Sequence, residues 1–480
     1  MLTYDVKFYE IEHRPDRRSP YRVRWVVGGN RHSKSYQLKP QAEGRKSELM
    51  AAARRGEQFD TEEGLPVSEL RAKDVVTWYE HACAYVLMKW PRAAAKHRAG
   101  IADALATVTP ALLKQPTSGP TAPSRSDIRQ ALFQWTFRMV RNDEDELVPR
   151  HRSEEPPPRI TRALTWVSQN SLTIEEAARP EAVRKALNAV STKLNGEQAA
   201  ENTARRKRMV LNSTYNYALE RELIEGINPL KRVDWQAPQT DDEVDFRYVP
   251  GPKLASALIR EAARQGARGA HLHAYFGCLY YAAMRPAEIS QLKEKDCRLP
   301  KKGWGTLILD SSSPEVSTGW TDAGKPYDER GLKRRARKTT RPVPIPPVLV
   351  ALLRAHLDTY GTADDGRLFR AARGGRVRST EYCEVWHKAR HKVLSPEDAE
   401  TPLAEVPYSL RHAGVSLWIT AGVEPTEVAR RAGHSLAVLY RVYAKILTGR
   451  QDHSNELIDK ALGELPSQPD EDEQSPGQDE

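Results

Sequence analysis

Apolar residues recur at helical spacing through most of this chain, and strict two-residue alternation is confined to short runs. Helical spacing lays one apolar stripe along a helix, whereas alternation lays one apolar face on a strand. Alternation occurs over residues 4–38, where Tyr4, Val6 and Phe8 alternate with Asp5 and Lys7, and Tyr21, Val23 and Trp25 alternate with Arg22 and Arg24. Further strand-like stretches lie near 304–310 and 341–345. The pattern predicts a mostly α protein with small β-sheets, an α+β fold.

Breaks in the pattern divide the chain. Residues 1–62 read as a small antiparallel sheet, turned at Gly28-Gly29-Asn30, followed by a helix from about Pro40 to Arg55. One face of that sheet is expected to be basic and aromatic, which suits either a DNA groove or a structural cap with solvated arginines. Residues 66–235 read as a helical domain. Trp78, Cys83, Tyr85 and Leu87 lie in a helix-like pattern, and further helices are predicted over about 93–105, 160–170, 173–195 and 202–224. An insertion at about 115–160 is bounded by polar, proline-rich breaks at 115–124 and 150–159, expected to be loops. The helix from 202 carries Arg205-Arg206-Lys207-Arg208 before an apolar face of Leu211, Thr214 and Ala218. Its basic turns suit phosphate contacts or a solvated charge run. A polar linker at 235–247 precedes a second large domain, 248–465, and residues 466–480 form an acidic tail expected to be disordered.

Charge narrows the partners. The net charge is +10, and the tail holds six acids and no base, which leaves +16 on the rest. A polyanion is the natural partner of such a body. No run of eighteen apolar residues suggests a membrane span. The start, MLTYDVKFYE, lacks the zones of a signal peptide, so a cytoplasmic protein is expected. Four scattered cysteines, Cys83, Cys278, Cys297 and Cys383, form no CxxC pair, so neither a disulfide framework nor a zinc site is expected. There is no GxxxxGK[ST] loop. Neither a cofactor nor a metal is expected.

Four separated pieces of the second domain carry the chemistry: Ala283-Met284-Arg285-Pro286-Ala287-Glu288, Tyr408-Ser409-Leu410-Arg411-His412, Gly433-His434, and Tyr440-Arg441-Val442-Tyr443. Each is weak alone, but their order and spacing resemble the tyrosine recombinases, also called the phage integrase family. The stretch PYSLRHAGVSLWITAGVEPTEVARRAGHSLAVLYRVYAKI is similar to that family's C-terminal block almost throughout. The resemblance covers about 248–465 with high specificity and 202–230 more loosely. The N-terminal sheet resembles the arm-binding domains of some integrases.

The resemblance implies Arg285 and Arg411 as phosphate-binding arginines, Glu288 as the acid supporting the first, His434 as the late histidine and Tyr443 as the nucleophile. The family usually places that tyrosine nine residues after the histidine. Tyr440 competes, one helical turn away. The family commonly has histidine three residues before the second arginine, where this chain has Tyr408. A phenol titrates near pH ~10 and cannot replace imidazole as a base near neutrality. It can still donate a hydrogen bond to a phosphate, and a packed helix-start aromatic is the competing reading. A lysine that protonates the leaving oxygen is implied in a hairpin before Arg341-Pro342-Val343-Pro344-Ile345. Lys338 matches best, with Lys333 and Lys325 as alternatives and a plain DNA-backbone patch as the competing reading of KRRARK.

These residues suit phosphodiester chemistry. Two guanidinium groups can hold the non-bridging oxygens as charge builds on them. Attack by tyrosine would leave a 3′-phosphotyrosine ester and a free 5′ hydroxyl, and reversal needs neither ATP nor metal. The implied partners are double-stranded DNA attachment sites, a homotetramer on synapsed DNA, and an excision factor or DNA-bending host protein. Integration and excision of a mobile element is the implied role. A non-catalytic DNA-binding relative and a DNA-relaxing topoisomerase are the alternatives. Asn455 to Leu465, with Leu457, Ile458, Ala461 and Leu462 at helical spacing, reads as a helix that docks into a neighbour or packs in cis.

Overall fold

The computed structural model describes residues 1–73, 75–114, 122–193, 195–236, 246–332 and 340–448, and beyond these 455, 458–460 and 462–463. The chain divides into two compact units, the first of Met1–Ala93 and His97–Pro238, the second of Ala94–Lys96 and Gln239–Glu480. Both are mainly helical with small antiparallel sheets, the α+β class expected.

In the first unit, β1 (Val6–Phe8), β2 (Tyr21–Val27) and β3 (Asn30–Tyr36) form an antiparallel sheet with β2 between its neighbours. Gly28-Gly29 makes the two-residue turn, closed by the Val27–Asn30 pair. Period-two alternation then sorts the side chains. Val23, Trp25 and Val27 are buried, against α1 (Lys39–Arg54), whose Ala42, Leu49 and Ala52 join the same core with Phe59. The face expected to be both basic and aromatic loses Trp25 to the core and keeps Tyr9 beside Arg24. Trp25 points inward and donates to Gly64 O at 2.6 Å, while Arg24 lies outward, 5.8 Å over the exposed Tyr9 ring. An indole in register with Val23 and Val27 has to follow the buried face.

The helical part of this unit includes α2 (Trp78–Lys89), α3 (Ala95–Val108), α4 (Pro158–Asn170), α5 (Pro180–Val190) and α6 (Glu201–Glu220). α2 starts with a capping box. Thr77 Oγ1 accepts from Glu80 N at 3.2 Å, and Glu80 accepts in turn from Thr77 N at 2.9 Å. The helix expected over 173–195 is two, Ile174–Ala177 and Pro180–Val190, because Pro180 has no N–H to continue the ladder. The break expected at 150–159 is also partly helical. Residues Arg150–Ser153 form a single turn, and Pro158 opens α4. The insertion contains a hairpin, Met139–Arg141 against Leu147–Pro149. On α6, Leu211, Thr214 and Ala218 are buried as expected. Its basic run is neither uniformly solvated nor uniformly free: Lys207 Nζ lies 3.2 Å from Asp103, and Arg208 stacks 5.0 Å from the Trp235 ring.

The second unit is built around α7 (Pro252–Ala263), α8 (Gly266–Tyr281), α9 (Pro286–Ile289), a sheet of β4 (Cys297–Arg298), β5 (Gly305–Leu309) and β6 (Arg341–Ile345), then α10 (Pro347–Tyr360), α11 (Ser379–Val393), α12 (Ser409–Thr420), α13 (Pro425–Ala432) and α14 (Leu436–Thr448). The sheet order is β6-β5-β4, all antiparallel, with Leu307 opposite Val343 and Leu309 opposite Arg341. α8 is almost wholly buried, and the core around it includes Leu258, Phe276, Leu279, Leu353, Trp386, Leu410 and Ile419. A helix apolar on nearly all sides belongs at the centre of its unit. Trp386 satisfies its indole N–H on Ala404 O at 2.7 Å.

Among the described residues no helix is long and apolar enough to cross a membrane. The tail 466–480 lies outside the described residues, as does most of the 235–247 linker. Of the C-terminal segment, Asn455, Ile458–Lys460, Leu462 and Gly463 are helical, with Ile458 and Leu462 exposed; Leu457, Ala461 and Leu465 lie outside the described residues.

Candidate active site

α8 ends at Tyr281, and Ala283 then adopts φ +43 while Met284 N–H returns to Cys278 O at 3.2 Å. This is a helix-terminating turn in the left-handed region, where a side chain costs about 1–2 kcal/mol. It reverses the chain and delivers Arg285 to the N-cap of α9, with Pro286 at the first helical position. Glu288, one turn on, accepts from Arg285 N and from Arg285 Nη1, each at 2.9 Å.

Glu288 is 2% exposed and is shared by a second cation. Arg341, at the start of β6 and fully buried, donates from Nη2 at 2.8 Å to the Glu288 oxygen that also accepts from Arg285 N. Burial alone would raise this carboxyl, but the Arg341, Arg411 and Arg285 guanidinium groups outweigh it and hold it at about 2. Glu288 is therefore a fixed anion that orients Arg285. Arg285 keeps 21% side-chain exposure and spends another N–H on Gly433 O at 2.9 Å.

Arg411 arrives on α12. That helix approaches α8 so closely that a Cβ on Gly414 would collide with the Tyr280 carbonyl oxygen. The approach lets Arg411 Nη1 donate to Ala283 O, and Nη2 to Ala432 O at 2.7 Å. Arg411 is 1% exposed, and burial lowers its affinity for the proton, opposed by Tyr408, Glu288 and Tyr443.

Gly433 ends α13 at φ +66, a left-handed cap. A Cβ there would also run into the guanidinium of Arg341. Only glycine fits both constraints, and the turn it makes sets His434 beside Arg411, Nε2 to Nη2 at 2.9 Å. Burial first, then Arg411 and Arg285, lowers the His434 imidazole to about 3. It is neutral at neutral pH. A guanidinium offers only donors, so Nε2 is the acceptor and the ring proton sits on Nδ1, which has no hydrogen-bond partner among the described residues.

Tyr443 lies within α14 but at φ −119, ψ 21, where the helix kinks. Its side chain is 0% exposed and its ring stacks on His434 at 6.2 Å. Burial raises the phenol and Arg411 partly offsets the rise. Tyr440, on the same helix, is 53% exposed. Arg285, Glu288, Arg411, His434 and Tyr443 thus converge from four separate segments. Tyr408, half-buried, packs its ring edge-on against His412 at 5.2 Å. Lys338 and Lys333 lie outside the described residues. Lys325 is exposed beside Tyr327, in the loop of a separate small hairpin, Ser311–Ser312 against Arg330–Gly331.

Two residues of the site escaped sequence reasoning. Arg341 had a signal: it shares the inward register of Val343 and Ile345, and an arginine on a buried strand face requires an acid. His412 had only its adjacency to Arg411. Its Nδ1 lies 3.0 Å from the Tyr443 hydroxyl. Among the described residues no group of three or more His, Cys, Asp or Glu is arranged to hold a metal ion. The constellation offers two guanidinium groups, an imidazole N–H and a phenol in mutual reach. That set can bind a phosphodiester and attack it.

No protein-family model and no curated protein matches the sequence. Solved structures similar to this chain include the Tn1549 transposon integrase in complex with a circular intermediate DNA, 15% identical over 65% of this chain and 96% of that one, with a TM-score of 0.46. The XerH site-specific recombinase bound to palindromic difH substrate, in a post-cleavage complex, is 12% identical over 76% of this chain and 96% of its own, with a TM-score of 0.40. The lambda integrase bound to DNA is 13% identical over 61% and 91%, with a TM-score of 0.37.

Proposed function

We propose that this chain is a tyrosine-type site-specific DNA recombinase, a strand transferase that cleaves and rejoins double-stranded DNA through Tyr443 and serves to integrate and excise a mobile element. The observation that carries the reading is the convergence of Arg285, Arg411 and His434 on the Tyr443 phenol, from positions spread over the whole second unit. A buried structural tyrosine does not call for two arginines and an unpartnered imidazole nitrogen around it.

In the reaction, Tyr443 Oη bonds to phosphorus as the P–O5′ bond breaks. Arg285 and Arg411 bind the non-bridging oxygens in exchange for the backbone carbonyls they now hold, and His434 Nδ1–H supplies a further donor. Glu288 keeps Arg285 aimed. The 5′ oxygen leaves as a hydroxyl, with Lys338 as the proton donor. The ester keeps the energy of the broken bond, so a 5′ hydroxyl from another strand reverses the step. Exchange between two duplexes calls for four protomers, one for each strand.

The target site can be selected from random sequence. A pool of nicked duplexes randomised over the central positions is incubated with the protein, and only DNA that survives denaturing washes is sequenced. The parent chain is expected to yield a covalent adduct on a defined sequence, which Tyr443→Phe abolishes and Tyr440→Phe keeps. An adduct that survives Tyr443→Phe moves the nucleophile to another residue. Sequence-selective binding without any adduct refutes catalysis and leaves a regulatory DNA-binding protein.

A further inference from the structure

We infer that His412, not Tyr408, is the catalytic residue that accepts the proton of Tyr443. The inference rests on the recombinase reading above and assigns a role that the departure at Tyr408 leaves vacant. His412 Nδ1 lies 3.0 Å from the Tyr443 hydroxyl, the distance of a direct hydrogen bond, and Tyr443 itself is fully buried.

The competitors are disqualified by their own partners. His434 has committed its acceptor nitrogen to Arg411, so it has only an N–H to offer. Tyr408 is a phenol, and one phenol gains nothing by passing its proton to another. Arg411 and Arg285 carry no lone pair at all. His412 packs edge-on against the Tyr408 ring at 5.2 Å and lies 6.0 Å from the Tyr443 ring, so its ring orientation is set by packing.

Burial, and Arg411 next to it, lower the imidazole to about 4. It is therefore neutral at neutral pH, with Nδ1 free to accept from the phenol O–H and the ring proton on Nε2. Low basicity is the cost of that neutrality. A phosphodiester arriving on Arg411 brings negative charge that offsets the guanidinium's share of that lowering. The atoms then balance. The phenol proton moves to Nδ1, the Oη–P bond forms, the P–O5′ bond breaks, and the departing 5′ oxygen takes a proton from the lysine. On rejoining, a 5′ hydroxyl gives its proton to the lysine and the imidazolium returns its own to Tyr443.

The test uses the full chain and the duplex recovered from the randomised pool, under single turnover. His412→Gln is expected to slow cleavage about 10²-fold or more, with DNA binding unchanged. Replacing Tyr443 with 2,3-difluorotyrosine, an acidic phenol that needs little help to ionise, is expected to recover most of that loss and to add little to the parent. The isosteric, far less basic 2-fluorohistidine at position 412 is expected to reproduce the loss even if His412→Gln folds poorly. Cleavage within about threefold of the parent in either His412 variant overturns the inference, as does loss on Tyr408→Phe that the acidic phenol rescues instead. Absence of any adduct from the parent overturns the recombinase reading itself, a separate result from an adduct that His412 variants leave intact.

Discussion

Removing the charge of Glu288 is the sharpest test of how the site is held. Glu288→Gln keeps the size of the side chain but leaves Arg285 and Arg341, both bonded to it, without their anion. Arg341 is 2% exposed at its side chain, so water cannot take over. The carboxyl sits at about 2, against 4.5 for an unperturbed glutamate. At about 1.4 kcal/mol per unit, that is worth about 3 kcal/mol of folding stability at neutral pH. Breaking a buried ion pair by removing one partner costs about 3–5 kcal/mol, which agrees. Because the folded value is depressed, the contribution is full above pH 4.5 and is lost as pH falls towards 2. Hydrogen exchange by mass spectrometry in a urea series, read on peptides covering 285–292 and 341–345, measures this unit within the whole chain. The expected result is a deficit of about 3 kcal/mol at pH 7 that narrows below pH 4.5. A deficit under about 1 kcal/mol, or one that does not change with pH, refutes the account of Glu288 as the anion that holds both arginines.

Other perturbations reach different parts of the structure. Arg285→Ala is expected to slow cleavage hundreds-fold, about 3–4 kcal/mol of barrier, with binding largely kept; a gel-shift assay beside the cleavage assay separates the two. Gly433→Ala forces a side chain into the left-handed region and against Arg341, so at least about 1–2 kcal/mol of stability should be lost together with most cleavage, measured by urea unfolding and adduct yield. His271, His412 and His434 are all depressed by burial, to about 4, 4 and 3. Unfolding below pH 6.5 therefore takes up protons, and the urea midpoint of this unit should fall steadily from pH 6.5 towards 4.5, before Glu288 begins to titrate. Trp25→Ala should cost about 3–5 kcal/mol in the N-terminal sheet, seen as faster exchange in peptides covering 21–36.

Much of this was written in local pattern. Period-two alternation marked β2, strand-like runs marked β5 and β6, and helical spacing marked α6, because burial on one face is dictated by residue spacing alone. A resemblance carried by chain order and spacing also implied Arg285, Glu288, Arg411, His434 and Tyr443. Local pattern failed where a single residue changed the backbone's options, as at Pro180, and where alternation had to choose which face Trp25 shares. What the tertiary structure decided is who meets whom. Arg341 reaches Glu288 only because β6 pairs with β5 and its inward register ends beside α9. Arg411 reaches Ala283 only because Gly414 lets α12 press against α8. His412 reaches Tyr443 only because α14 folds back and kinks over α12, thirty-one residues further along the chain. Spacing along one element is local geometry and is legible in sequence. Contact between elements depends on how closely their backbones approach, and that distance is set by the packed core.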